Sequence, residues 1–362
     1  MIYKIFRPTI FQLDAEIAHN LAINFLRFCP KTATVFTLNK EYENLAIKAF
    51  NLDFKNPILM AAGFDKNAQV ALTLEKFGFG AIECGTVTPK AQIGNDKPRI
   101  FRLKEDKAII NRLGFNNLGA DIFAQNIAEI TTKIQIPLGI NIGKNKDTEN
   151  ALDDYLPLLE KFYQPASYIT INISSPNTKN LRDLQKEEQL DLFLSEIMRK
   201  KNELKNKTNK DVAILLKIAP DLNLDQQYNI AQIVLKNNIN GLIISNTTID
   251  RNFNLKSKYC DEIGGLSGKP LFNKSNEILK NFYKFTENKI PLIGVGGVSC
   301  ANSAYEKIKC GASLVQIYSA FIYEGFSLVE RIKKDLHKLV EKDGFSNISQ
   351  AIGAYTKPRF GI

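Results

Sequence analysis

A parallel, eight-stranded (β/α)8 barrel with a small helical unit at its N-terminus is the fold this sequence predicts. Three observations predict it. Past residue 55 the chain repeats one rhythm: a short apolar run, then Gly, Asn or Asp, then a longer amphipathic segment. The runs number eight, the strand count of a closed α/β barrel. Each is rich in Ile, Leu and Val without period-2 alternation, as strands buried on both faces require.

The runs, in order, are Pro57–Ala61, Ala81–Cys84, Ile136–Ile142, Tyr168–Ile173, Val212–Ile218, Gly241–Ser245, Pro291–Val295 and Ser313–Ile317. Helix-like segments fall between them at Gln69–Phe77, Leu118–Thr131, Glu187–Leu204, Asp225–Lys236, Ser275–Glu287 and Ala301–Lys309. A doubly wound sheet is the structural alternative for such an alternation. No internal repeat or low-complexity tract interrupts it.

Residues 1–40 stand outside the rhythm. Asp14 can cap a helix whose Ile17, Leu21, Phe25 and Phe28 recur at helical spacing, and Pro30 ends it. Pro8 separates this helix from a shorter stretch holding Tyr3, Phe6 and Phe11. Five basic residues against two acidic ones leave the unit weakly positive. It is either a helix pair packed on the barrel or an interfacial element that lays an apolar face on a bilayer or a lipid-like substrate. The expected division is 1–40 for this extension and 41–362 for the barrel.

Composition narrows the function classes. The chain has 362 residues, 44% hydrophobic and 24% charged, with 23 Phe and 12 Tyr, which is a folded, core-forming composition. No uncharged apolar run approaches the roughly 18 residues a membrane span needs. The charges within MIYKIFRPTI and the lack of a small-residue cleavage site argue against a secretory signal. Five Cys never spaced C-x-x-C, with only two His, argue against a structural zinc site or a disulfide framework and for a reducing compartment. The net charge of +10 suits an anionic ligand or surface. Scattered lysines and the lack of a recognition motif argue against nucleic acid.

Barrel chemistry sits on the loops that follow the strands. Those loops here carry Ala62–Asn67, Gly85–Pro89, then Arg99, Arg102 and Asn111–Asn116, Asn141 with Gly143–Asn145, Asn172–Thr178, Lys217 with Pro220-Asp221, Ser245–Thr247, Gly294–Val298, and Tyr318-Ser319. They offer amides, hydroxyls and lysines, but neither a His nor a carboxylate pair. Metal hydrolases and glycosidases are therefore disfavoured. The set suits a hydrogen-bonding ligand with anionic parts, such as a flavin phosphate beside a small carboxylate. Lys217 closes an apolar strand, so it needs a partner, either a rim salt bridge or a flavin ring. A flavin-free phosphate-binding lyase or isomerase would use the same strand 7 and 8 loops, and a catalytically silent tethering barrel is a rival of another class.

Several stretches carry a family resemblance. NPILMAAGFDKN at 56–67, GFGAIECGTVTP at 78–89, residues 98–103, NRLGFNNLG at 111–119, GINIGKNKDT at 139–148, NISSPNTKNL at 172–181, GGLSGKP at 264–270 and residues 294–298 make the chain resemble the class 2, quinone-dependent dihydroorotate dehydrogenases. The soluble class has a cysteine where this chain has Ser175, and it lacks an extension like residues 1–40. The resemblance implies oxidation of dihydroorotate to orotate in pyrimidine synthesis, with FMN as cofactor and a membrane quinone as acceptor. It implies Ser175 as the base, with Thr178 one candidate for relaying the proton. Lys66, Asn111, Arg112, Leu113, Gly114, Phe115, Asn172, Asn177, Asn246 and Thr247 resemble the substrate-binding residues. Ala62, Gly63, Phe64, Asp65, Lys66, Thr86, Asn141, Asn172, Lys217, Ser245, Gly268, Gly297, Tyr318 and Ser319 resemble those that bind FMN; relatives carry threonine at position 245, and the hydroxyl is kept. His19 and Arg102 match residues that contact the quinone head group. A monomer on the cytoplasmic face of a bacterial inner membrane, held peripherally by the N-terminal helices, is what the class implies.

Overall fold

The structure is a computed structural model that describes residues 2–35, 37, 39–178 and 180–356. Lys179, within the 172–181 stretch, and the ends of the expected domains at Met1 and 357–362 lie outside the described residues. Eight parallel strands close a barrel in chain order: Ile58–Met60, Ala81–Val87, Leu138–Ile142, Tyr168–Asn172, Ala213–Ile218, Gly241–Ile244, Leu292–Val295 and Leu314–Ile317. They are strands 1 to 8 below. Val315 paired with Ile58 closes the ring. Every expected apolar run becomes one of these strands, and no doubly wound sheet forms. The branched aliphatic side chains that made the runs uniform are buried inside the barrel and under its helices.

The helices show what the apolar rhythm under-read. Leu152–Tyr163 and Leu328–Lys342 complete the outer ring, and a short helix at Ser319–Glu324 follows strand 8. The segment expected at Gln69–Phe77 shrinks to Ala71–Glu75. Two smaller sheets also form. A hairpin of Ile47–Ala49 and Leu52–Phe54 lies at the N-terminal end of the barrel, where Phe50 comes 6.5 Å from the Tyr168 ring. An antiparallel sheet of Ile100–Leu103, Ala108–Asn111 and Gly265–Gly268 has its own small core of Phe101, Leu103, Ala108, Ile110 and Leu266. The stretch read as a loop after strand 2 is therefore largely sheet.

At the N-terminus, helix α1 spans Ile2–Ile10 and helix α2 spans Ala15–Phe28. Pro8 does not divide the unit as expected. It sits in the last turn of α1, and Phe11–Leu13 make the turn instead. A proline costs least where its lost donor is soon followed by the helix end. Asp14 caps α2 as expected, accepting from the amides of Glu16 (2.9 Å) and Ile17 (3.0 Å). Pro30 opens a further turn, Pro30–Thr34. Helix α1 docks on the helix after strand 8: the Tyr3 hydroxyl donates to the Ile322 carbonyl (2.5 Å) and Arg7 to that of Tyr323 (2.9 Å). Helix α2 is tied down by the buried Glu16–Arg99 pair at 2.6 Å. Its Ile17, Leu21, Phe25 and Phe28 face outward, with Phe28 69% exposed.

Candidate active site

A cavity of about 440 Å³ opens at the C-terminal mouth of the barrel, within the roughly 300–1,000 Å³ usual for small-molecule sites. The loop after strand 1 gives it Ala62, Gly63 and Lys66, and strand 2 gives Thr86. The antiparallel sheet and its following turn bring Asn111, Leu113, Gly114, Phe115 and Gly268. Strands 4 to 6 bring Asn172, Ser175, Asn177, Lys217, Ser245, Asn246 and Thr247. Strands 7 and 8 end in Gly297, Tyr318 and Ser319. Residues scattered over 258 positions of sequence thus meet because every one lies at or just past a strand's C-terminal end or in or beside the small sheet.

Several of these groups are left without a partner. The side chains of Lys66, Asn111, Lys217 and Tyr318 make no hydrogen bond or ion pair with the described residues. Lys217 is buried; burial pushes its ammonium below the ordinary value, while the Glu83 charge pulls the other way. The rim salt bridge that would explain Lys217 without a ligand is thus not made. Nor does Lys66 pair with Asp65, whose carboxylate accepts the amides of Gln69 (2.7 Å) and Val70 (2.8 Å). Burial brings Lys66 down to about 8, partly countered by Glu16. An unpaired buried cation is costly, so lysines in this state are set for an anion.

Other groups are locked in place. Thr86 donates to the Asn141 amide oxygen (2.5 Å) and accepts from Asn172 (3.0 Å). Ser174 donates to the Asn172 side chain (2.7 Å) and accepts from Asn246 (2.9 Å). The Ser175 hydroxyl accepts the Asn177 amide (3.2 Å), and the Asn177 side chain donates to the Asn111 carbonyl (3.2 Å). Gly268 has φ +100, and a Cβ there would lie 2.4 Å from the Lys107 carbonyl oxygen. Only glycine lets that backbone line the cavity.

The remaining expected residues lie off this wall. Asn141 is behind it, donating to Glu83 (2.7 Å) in the barrel interior. Asp65 is the capping carboxylate just described. Phe64 packs edge-on against His19 and Phe321. The Arg112 guanidinium turns outward to Glu262 (2.7 Å) and the Pro98 carbonyl (2.9 Å), over the Phe101 ring. Its side chain is therefore not among the cavity groups, because two acceptors and an aromatic face hold it outside. His19 lines a separate cavity of about 200 Å³ that shares Lys66 and Asn116 with the larger one. Burial and the nearby Lys66 bring its imidazole down to about 3. Arg102 donates to the Leu13 carbonyl in the turn between α1 and α2 and lies over the Phe11 ring. Thr178 is buried with its hydroxyl unpartnered.

Sequence reasoning missed other contributors. Gln316, inside strand 8, lines the cavity with an unpartnered buried oxygen while its amide donates to Glu83 (2.7 Å). Ser267 bonds the Ser319 hydroxyl at 2.8 Å. Lys107, Lys269 and Arg331 join Lys66 and Lys217 on the wall, against one carboxylate, Glu324, among the described residues. The only signal for Gln316 was its place inside an apolar strand, where a polar residue is out of character; Ser267 lies within the GGLSGKP stretch.

A family model for dihydroorotate dehydrogenase matches residues 44–340. The chain belongs to the dihydroorotate dehydrogenase family. It is 48% identical over 339 residues to the dihydroorotate dehydrogenase (quinone) of Vibrio parahaemolyticus, covering 93% of this chain and 100% of that one. The Vibrio cholerae enzyme of the same name is 49% identical over 341 residues, with the same coverage. Among solved structures, DHODH from Eimeria tenella in complex with ferulenol superposes with a TM-score of 0.91 at 37% identity, covering 95% of this chain and 96% of that one. The ligand-free type from that organism gives 0.88. The family match begins at residue 44, beyond α1 and α2, and takes in every cavity residue.

Proposed function

We infer that the chain oxidises dihydroorotate to orotate and delivers the electrons to a membrane quinone, with FMN as the flavin. The observation that carries this reading is the convergence of Ser175, two unpaired lysines and a ring of amides in one cavity at the barrel mouth. The family is flavin-dependent, and the donor set fits FMN. Lys217 is buried without a partner, Gln316 holds an unused acceptor, and glycine backbone borders the cavity at Gly63, Gly268 and Gly297. Those residues, with Ala62, Thr86, Asn172, Ser245, Tyr318 and Ser319, would hold it. FMN, when bound, accepts the hydride leaving the substrate and passes electrons on to the quinone.

Each step left to the protein follows from its own side chains. Lys66 holds the substrate carboxylate, and Asn111, Asn172, Asn177 and Asn246 with Thr247 bond the ring amides. Ser175 takes the proton from the carbon beside the departing hydride. Serine is a weak base at its free pKa, so the proton must move on. The buried, unpartnered Thr178 hydroxyl supports it as the next group. Asn141, Asp65 and Phe64 act from behind the wall by fixing Thr86, the strand 1 loop and Tyr318. Arg112 acts from outside the wall, where its guanidinium ties Glu262 to the Pro98 carbonyl.

Residues 1–40 serve as the quinone entrance. His19, neutral at physiological pH, and Arg102 flank the start of α2, and the outward apolar face of α2 supports peripheral contact with a bilayer. Among the described residues no helix is long and apolar enough to cross a membrane. Arg27, over the Phe28 ring, and Lys31 at the end of that face suit the anionic cytoplasmic leaflet of a bacterial inner membrane. One chain supplies every site residue, so the reading takes the enzyme as a monomer. The test is anaerobic: dihydroorotate should bleach the yellow holoprotein, and quinone should restore the colour. A protein that stays colourless with added FMN would overturn it.

A further inference from the structure

We propose that Arg182 is a positioning residue that locks the loop carrying Ser175 to the loop carrying Asn246 and Thr247, with Asp221 as its anchor. The proposal rests on the reading of Ser175 as the base. Arg182 is absent from the cavity wall, and no functional stretch of the sequence includes it. It lies in the 3-10 turn Leu181–Gln185, and all three of its nitrogens are engaged. Nε donates to the Ser174 carbonyl (3.0 Å), Nη2 to the Thr247 carbonyl (3.0 Å), and Nη1 to Asp221 Oδ2 (2.9 Å). One planar group thereby ties together the loops after strands 4, 5 and 6.

The anchor is itself over-determined. Asp221 also accepts from the Thr248 hydroxyl, the Ile249 amide (3.0 Å) and Lys274 (3.0 Å). Burial works against its charge, and these donors with Arg182 more than offset it, holding the carboxyl below its ordinary value. The pair is well shielded, with side chains 22% and 14% exposed, unlike the surface pairs that contribute little.

The consequence falls on the base. Ser174 precedes Ser175 directly. Its carbonyl is held by Arg182, and its hydroxyl lies between Asn246 and Asn172. Thr247, held at its own carbonyl, follows Asn246. Arg182 therefore sets the distance between the proton-accepting group and the amides that orient the ring. A lysine has no planar fork, so it can answer Asp221 but not both carbonyls from one position.

The test compares half-reactions of the flavin-loaded enzyme. Arg182→Met keeps an apolar stem and removes all three donors. It should slow flavin bleaching by dihydroorotate about 10- to 100-fold, the scale of an ångström-level misplacement. Flavin content and reoxidation of the pre-reduced enzyme by quinone should stay at wild-type values. Arg182→Lys, which keeps the charge opposite Asp221 should the Met variant fail to fold, should recover only part of the rate. Adding Asp221→Asn to Arg182→Met should cost little more, since the two act as one unit. Wild-type bleaching rates in both variants would overturn the proposal, as would equal losses in both half-reactions with loss of flavin. A wild-type enzyme that dihydroorotate fails to bleach would instead overturn the assignment of the reaction.

Discussion

Ser175 shows how far single residues can be read. Its hydroxyl sits on the cavity wall with one lone pair engaged by the Asn177 amide. Ser175→Ala should leave flavin bound and slow its reduction by dihydroorotate on the order of 10²- to 10⁴-fold, the range for a lost proton acceptor. Stopped-flow bleaching measures this; a wild-type rate would reassign the base. Lys66 gives a pH test with two opposing signs. In the proposed function its charged form pairs with the substrate carboxylate, and burial brings its pKa down to about 8. Substrate KM should therefore rise above about pH 8. Because the fold disfavours that charge, Lys66 lowers stability below pH 8, and the cost is relieved between about 8 and the ordinary 10.5. Lys66→Met should abolish the KM rise; an unchanged pH profile in that variant would exclude Lys66 as its source. Site residues were legible where a polar group follows an apolar run, as at Asn172, Lys217 and Asn246. Arg182 and Gln316 were not, because their roles depend on which carbonyls and carboxylates the closed barrel brings to them. Asp65 was legible only as part of a motif; its capping of Gln69 and Val70 needs coordinates.

At the level of elements, the strands were readable because burial on both faces leaves an unbroken aliphatic run. Helix Leu152–Tyr163 was not, since Pro157 interrupts its pattern. The strands Ile100–Leu103 and Ala108–Asn111 were hidden by their shortness and by Arg102 and the polar turn between them. Helix α2 was legible in extent, and the sequence left its orientation open between packing on the barrel and facing lipid, for an apolar stripe normally faces the core. Here Glu16, Ala18, Ile23 and Leu26 are buried and the stripe of Ile17, Leu21, Phe25 and Phe28 is exposed. If this stripe guides a long-tailed acceptor and lies on lipid, Leu21→Ser with Phe28→Ser should spare bleaching by dihydroorotate. The same variant should impair reoxidation by long-tailed quinones several-fold and weaken binding to anionic vesicles, while small soluble acceptors still work. Vesicle sedimentation and acceptor kinetics check this. A variant that reduces long-tailed quinone and binds vesicles like wild type would return the helices to a packing role. Since these positions are already solvent-facing, their loss should change thermal stability little.

Across the whole molecule, the proposed function divides the labour between two regions. The barrel gathers an electropositive cavity from seven of its eight strand ends, and α1 and α2 lie beside it through Tyr3, Arg7 and the Glu16–Arg99 pair. His19 joins the two: its small cavity shares Lys66 with the large one. On the proposed function, chemistry on the substrate and delivery to the acceptor are adjacent, and the two half-reactions should be separable by mutation. The most direct measurement is therefore a cycle on one anaerobic sample of the purified flavin-loaded protein. Dihydroorotate is added and the flavin absorbance followed, then a long-tailed quinone in anionic vesicles. The account predicts complete bleaching with one orotate formed per flavin, then full recovery of colour on addition of the quinone. Persistent flavin absorbance after dihydroorotate, in protein that retains its flavin, would contradict it.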